Sequence, residues 1–218
     1  MLKKNKRMTT PKGRALWAKV NKPDTKFNPE GVYSVDFIIK QEEADQLVTA
    51  IAEAVQEQYQ VVAEELKSKG KHADIKKIKY ADNPYVEVYD EFGDTTGELK
   101  FKFKLKASGK AKDGSTFTQK PMLFDAEGNK IEVEIFNNSI IKVAFEIVPF
   151  YTTLIGVGVS LRLKAIQVIE LVEKNGNSSA GNAFGFTKEE GYVAPKNNNS
   201  SINFEVFNEP EEADDSPF

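Results

Sequence analysis

The chain has 218 residues, 40% of them hydrophobic, enough to bury a core in one large domain or in one domain with an appendage. It has no cysteine and one histidine, which removes disulfides, thiolate metal sites and cysteine nucleophiles and leaves a histidine triad or metal site almost nothing to work with. The net charge of −3 hides a division: residues 175–218 hold eight acids against Lys188 and Lys196, a net of −6, so the first 174 residues carry +3.

Met1–Arg7 is basic but leads into no apolar run, so no signal peptide is expected. No stretch approaches the roughly 18 apolar residues of a membrane span. The expectation is a soluble protein of the cytoplasm with no membrane contact. Residues 13–20 read as a first strand, and the Pro, Asn and Gly residues of 21–31 as a loop. A second strand follows, with Tyr33, Val35, Phe37 and Ile39 on one face. Over 41–69 the period changes. Ala44, Leu47, Val48, Ile51, Val55, Tyr59, Val62 and Leu66 recur at three- and four-residue steps, which predicts one long amphipathic helix. Acids open it, lysines close it, and Gly70 suits its C-cap.

Tyr85–Tyr89 is strand-like, and period two returns where Leu99, Phe101, Phe103 and Leu105 alternate with Lys100, Lys102, Lys104 and Lys106. Lys110–Gly114 reads as a turn, Lys120–Phe124 as a short strand, Asp125–Gly128 as another turn, and Lys130–Phe136 as an extension of the sheet. Ile141, Val143, Phe145 and Ile147 alternate in the next strand. The last, Val157–Val172, is almost continuously apolar from Ala165 to Ile169. About six strands and one long helix point to a mainly β fold, an OB-type closed β-barrel carrying a helix, although a β-sandwich satisfies the same pattern. From Lys174 the composition turns to Asn, Ser and Gly. The expected organisation is a body over 1–174, a flexible linker over 175–208, and an acidic tail tip over 209–218 within a disordered C-terminal tail.

Enzymatic chemistry finds little support. His72 lies in a lysine-rich connector and reads as a solvated side chain. Gly156-Val-Gly158 sits inside a strand pattern and lacks the Gly or Lys of a phosphate loop. Neither a cofactor nor a metal is expected. The lysine ladder, by contrast, puts four ammonium groups on one strand face. A lone ladder is more often a solvated face that discourages edge pairing. Lys110 and Lys112 extend it, however, and Arg14, Lys19, Lys22 and Lys26 form a second basic group around the first loop. A barrel brings both to one groove able to track phosphates. Bases also need aromatic platforms. Trp17, Phe27, Tyr33 and Tyr151 are the candidates, with Tyr80, Tyr85 and Tyr89 behind them, each weighed against ordinary core packing. Phe27 is the best of these, standing in a polar loop with no apolar face.

The C-terminus reads Phe207-Asn-Glu-Pro-Glu-Glu-Ala-Asp-Asp-Ser-Pro-Phe218. Solubilisation accounts for the acids but not for a terminal Phe. A Phe ring beside a chain-end carboxylate fills an apolar pocket rimmed by Arg or Lys. Asp214, Asp215, Pro217 and Phe218 are therefore candidate partner-binding residues.

These features together resemble the phage and bacterial single-stranded-DNA-binding proteins. Asp214-Asp-Ser-Pro-Phe218 is similar to the tip of the bacterial tails. Lys19–Asp24 leading to Tyr33–Phe37, Lys120-Pro121, Asn138-Ser139 and Gly158–Val168 are similar to blocks of the phage type. The resemblance implies an OB fold and binding of single-stranded DNA during phage DNA replication and recombination. It also implies a homodimer or cooperative assembly, and tail contacts with replication proteins such as DNA polymerase and helicase or primase. Two other readings stay open at this point: a structural or assembly protein with a solubilising tail, and a strand-annealing recombination factor. RNA as the strand bound is open too.

Overall fold

The computed structural model describes residues 6–111 and 114–172. Its strands are β1 (Lys6–Thr9), β2 (Gly13–Asp24), β3 (Val32–Lys40), β4 (Tyr85–Tyr89), β5 (Thr95–Lys106), β6 (Ser108–Lys110), β7 (Thr116–Thr118), β8 (Met122–Phe124), β9 (Ile140–Thr152) and β10 (Gly156–Glu170). The helices are α1 (Gln41–Ser68) and the single turn α2 (His72–Ile75). The fold is mainly β with one long helix. The described residues form ten strands against the six or so expected, because short paired segments such as β1 and β6 carry too few residues to show a period.

Alternation decides how the strands pack. On β3 and β5 every second side chain is apolar, and the antiparallel register sets Tyr33 opposite Leu105, Val35 opposite Phe103, and Phe37 opposite Phe101. β9 contributes Ile141, Val143, Phe145 and Ile147 to the same core, and β10 adds Leu161, Leu163 and Ile166. The pairing runs from β9 to β2, β3, β5 and β10, and β10 pairs with β9 again, so the chain of hydrogen-bonded neighbours returns on itself. β10 joins β5 in parallel, and β9 antiparallel over nearly its whole length. At the centre the Phe103 ring meets Phe37 edge-on at 6.1 Å and Phe145 at 4.9 Å.

The first half of α1 adds Ala44, Leu47, Ala50 and Ile51 to this core, as its period requires. The helix ends in a paired closure around a left-handed Gly70 (φ +71°). The Gly70 N–H donates to the Lys67 carbonyl, and the Lys71 N–H to the Leu66 carbonyl. Further along α1, Tyr59 stacks on Tyr80 at 5.5 Å. Among the described residues no helix is long and apolar enough to cross a membrane.

Two local expectations change. β2 continues to Asp24, so the first loop is shorter than the turn residues suggested. Apart from an isolated antiparallel bridge between Lys130 and Phe124, residues 130–136 form no strand. They are held by the Ile131 N–H donating to the Leu123 carbonyl and by the Asn21 side-chain amide donating to the Val133 carbonyl, which buries Ile135 without a ladder. Lys112 and everything beyond residue 172, including the tail tip, lie outside the described residues.

Backbone proximity fixes one glycine. Residues 79–81 run against the start of β10, the Val157 N–H donating to the Lys79 carbonyl and the Ala81 N–H to the Val157 carbonyl, both at 2.8 Å. Gly156 has φ +106°, and a Cβ there would lie 2.3 Å from the Lys79 carbonyl oxygen. Gly156→Ala is expected to lower unfolding stability by at least about 2 kcal/mol, and Gly128→Ala, left-handed but in open space, by only about 1 kcal/mol. Urea denaturation followed by circular dichroism checks the difference.

Candidate nucleic-acid interface

The rule that buries Phe101 and Phe103 turns the lysines of β5 outward. Cross-strand neighbours share a face, so register maps that surface. Lys104 lies beside Ser34, and Ser34 beside Lys19. One step along, Lys102 lies beside Asp36 and Asp36 beside Leu16; the next row is Lys100, Ile38 and Arg14. Lys19 and Lys104 are thus two strand spacings apart, about 10 Å. Arg162 on β10 continues the same row beyond Lys104. Its own neighbour, Glu146, accepts ion pairs from Arg7 at 3.3 Å, Arg162 at 3.6 Å and Lys164 at 3.8 Å.

Not every cation here is equally available. Arg14 is committed to Glu98, one guanidinium nitrogen lying 2.6 and 2.8 Å from the two carboxylate oxygens. Lys102 pairs at 3.5 Å with Asp36, which is almost buried. Lys19 pairs with Asp24, and that hydrogen bond, with the Lys26 N–H behind it, holds the Asp24 carboxyl below the usual carboxylate range. Lys104 and Lys106 face solvent, Lys100 is half-buried, and all three are ion-paired with no described residue. The free positive charge therefore gathers toward the Lys106 end of β5. There the first loop and β6 are tied together, the Ala107 N–H donating to the Gly31 carbonyl and the Ser108 hydroxyl to the Glu30 carbonyl. Lys110 extends the basic region on β6, exposed.

Two concave surfaces accompany these charges. A cleft of about 330 Å³ opens where β4 and β10 share one edge of β5, lined by Pro84, Tyr85 and Val86 opposite Lys100, Lys102 and Lys104. A shallower one of about 720 Å³ follows residues 18–26 and includes Lys19, Lys22 and Lys26.

The aromatic candidates divide sharply. Phe27 is 89% exposed, with the Lys26 ammonium 5.3 Å from its ring centroid. Trp17 is 68% exposed. Tyr33 is a correction. At 7% exposed it sits in the core opposite Leu105, because its place in the β3 alternation is inward, and its ring has no free face for stacking. Tyr151 stands apart: it pairs with Val157, five residues before Arg162 on β10 and so about 16 Å from the Lys104 row. Tyr80 and Tyr89 are exposed but engaged, Tyr80 against Tyr59 and Tyr89 through a hydrogen bond to Glu87 at 2.7 Å. Tyr85 is half-buried against Phe101.

Trp17 has an unusual backbone. It occupies a bulge in β2, between Leu16 and Lys19, at φ +49°. A bulky L-residue there costs about 1–2 kcal/mol. Its N–H donates to the Asn137 side-chain oxygen at 2.8 Å. Asn138, beside that contact, is the other non-glycine residue of positive φ among those described.

Sequence reasoning overlooked three things here. Arg162 was legible in the alternation Ser160, Arg162, Lys164 against Leu161 and Leu163. The strand-like Tyr85 was legible, but that Pro84–Val86 wall the first cleft and that Asn137 reaches Trp17 was not, since both depend on segments brought together from far apart.

A mainly β domain with one helix, a cationic outer face and exposed aromatic rings beside it defines the class of small nucleic-acid-binding β-proteins. A family model described as the single-stranded DNA-binding protein of bacteriophage T7 matches residues 13–171. The chain belongs to that family. Among solved structures it is similar to gp2.5, a single-stranded DNA-binding protein encoded by bacteriophage T7, with 29% identity and a TM-score of 0.64, covering 88% of this chain and all of that one. It shares a fold with the single-stranded DNA-binding protein of bacteriophage Enc34 in complex with single-stranded DNA, at 13% identity and a TM-score of 0.50, covering 78% of this chain and 89% of that one. No curated protein sequence matches the chain.

The bulge makes a stability prediction independent of any ligand. Trp17→Gly should leave stability unchanged or raise it by up to about 1 kcal/mol, because relief of strain offsets the added freedom of the unfolded chain. Trp17→Val, β-branched at positive φ, should lower it by about 1–2 kcal/mol. Denaturant midpoints at constant m-value report both.

Proposed function

We propose that this chain is a non-enzymatic protein that coats single-stranded DNA with little regard to sequence, in phage DNA replication and recombination within the host cytoplasm. The observation that carries the reading is the cationic face of β2, β3, β5 and β10, lying beside exposed Phe27 and Trp17 in a member of this family. Lys104, Lys106 and Lys110 supply phosphate contacts, with Lys19, Lys22, Lys100 and Lys102 around them. Phe27 and Trp17 supply surfaces on which bases stack irrespective of identity. The strands that pair in a ring are read as an OB-type closed barrel, a fold whose outer strand face suits an oligonucleotide.

The rest of the reading rests on sequence. The body over 1–174 is followed by a linker over 175–208 and a tail tip over 209–218. Asp214, Asp215, Pro217 and Phe218 recruit replication proteins, a polymerase or a helicase–primase, and the working form is a homodimer. At −6 opposite a +3 body, the tail also competes with DNA phosphates for the basic face.

Two measurements test this. Oligo(dT) affinity should fall with salt, the log–log slope being about −0.7 for each phosphate contacted, and Lys104→Ala should make the slope shallower by about that amount. A salt-independent affinity, or a slope untouched by Lys104→Ala, counts against the face. Removing the last dozen or so residues should tighten oligo(dT) binding while abolishing capture of replication proteins. No binding at low salt by the shortened chain sinks the assignment and favours a purely structural role.

A further inference from the structure

We infer that Asn137 is a positioning residue for Trp17: its side-chain carbonyl fixes the backbone that presents the indole, so that the ring meets a base of a single strand already oriented. The inference rests on the reading of this chain as a single-stranded-DNA-binding protein.

Three features of the site point the same way. The bulge places one extra residue in β2, at a left-handed φ of +49°, where glycine is the ordinary occupant. A tryptophan at that point is sterically disfavoured, and its ring gains no core packing in return, being 68% exposed. What holds the conformation is the Trp17 N–H donating to the Asn137 Oδ1 at 2.8 Å.

Asn137 is itself well founded. The next residue, Asn138, donates its N–H to the Ala15 carbonyl at 2.8 Å, and the Ala15 N–H donates to the Ser139 carbonyl at 2.9 Å. Ser139 is fully buried, and its hydroxyl oxygen accepts the Val172 N–H at 3.0 Å. Asn137 therefore stands on a turn clamped to β2 on one side and, on the other, to Val172, two residues past the end of β10. An aromatic ring whose backbone is fixed in advance loses less freedom when a base stacks on it. The cationic row begins two residues along the chain at Lys19, which is paired with Asp24, and exposed Lys22 follows it, so a base on Trp17 lies beside groups able to meet phosphates. A single-stranded polynucleotide fits that pairing of chemistries.

Trp17 is the only tryptophan, so its emission reports on this site alone. In the full chain without DNA, Asn137→Ala should lower the emission anisotropy of Trp17. Asn137→Asp, which still accepts the N–H, should preserve it. The bond is exposed, so water replaces the lost acceptor and the unfolding midpoint should barely move. With oligo(dT), Asn137→Ala should weaken binding about 5-fold and by no more than Trp17→Ala does, as release of a residue held at a cost of about 1 kcal/mol implies. Trp17→Ala should weaken it about 5-fold or more. In the Trp17→Ala background Asn137→Ala should add nothing, since both changes remove one contact. Unchanged anisotropy, or equal losses in the two backgrounds, overturns the inference. Failure of the unmodified or tail-shortened chain to bind oligo(dT) would overturn the DNA reading itself, and it shows before any Asn137 variant is made.

Discussion

Alternation along β5 is the constraint on which both the fold and its cationic face depend. Leu99, Phe101, Phe103 and Leu105 bury completely or nearly so, and each burial contributes about 1.5–3 kcal/mol. The four lysines between them lie about 7 Å from their nearest like neighbour, which costs about 0.6 kcal/mol per neighbouring pair in water before salt screens it. The apolar term wins by several-fold, so the register is set by the phenylalanines and the ammonium groups have no choice of side. A slip of one residue would put all four charges into the core. The basic face thus comes at little extra cost: it is the obverse of the core, and a change that loosened the packing of Phe103 would blur the lysine row as well.

The charges on that face are graded rather than uniform. Asp36 between Lys102 and Leu16, Asp24 beside Lys19, and Glu98 beneath Arg14 each neutralise one cation of the β2–β3–β5 surface. The cations of all three pairs are 40–54% exposed, so the pairs fix side chains in place more than they stabilise. The unneutralised stretch runs from Lys104 through Lys106 to Lys110, next to the loop that carries Phe27. At the other end Lys100, also unpaired among the described residues, stands in the row of Arg14, whose charge Glu98 takes up.

Much of this was legible in the sequence, for a definite reason. The helix over 41–69, the inward rows of β3, β5 and β9, and the outward lysines all follow from period, and burial enforces period. Gly70 was legible because a helix end needs a left-handed residue. Tyr33 shows the same rule overriding a functional guess: an aromatic in an inward position packs, whatever its chemistry suggests. Phe27 shows the converse, since nothing in its polar loop offered a core to join. What the sequence concealed are features made by distant segments. The Asn21 amide reaching Val133 replaces a ladder over 130–136, where the alternation of Ile131, Val133 and Ile135 reads as a strand. Asn137 reaches a backbone N–H 120 residues away. No local pattern encodes either.

Strain in this body is concentrated rather than spread. Apart from glycines, the described residues of positive φ are Trp17 and Asn138, on segments that hydrogen-bond to one another. The core can sustain the cost, because about 1–2 kcal/mol at one bulge is small beside the summed burial of the β3, β5 and β9 side chains that β2 packs with, Phe37, Phe101, Phe103 and Phe145 among them. Left to local preferences, β2 would run regularly and turn an inner or outer face toward each neighbour. The bulge breaks that periodicity between Leu16 and Lys19, and so frees one side chain from the choice between core and outer row. A residue freed in this way can be large and aromatic without disturbing either face. That explains how a strand whose buried positions are Gly13, Ala15 and Val20 can also carry the chain's one tryptophan exposed at its surface.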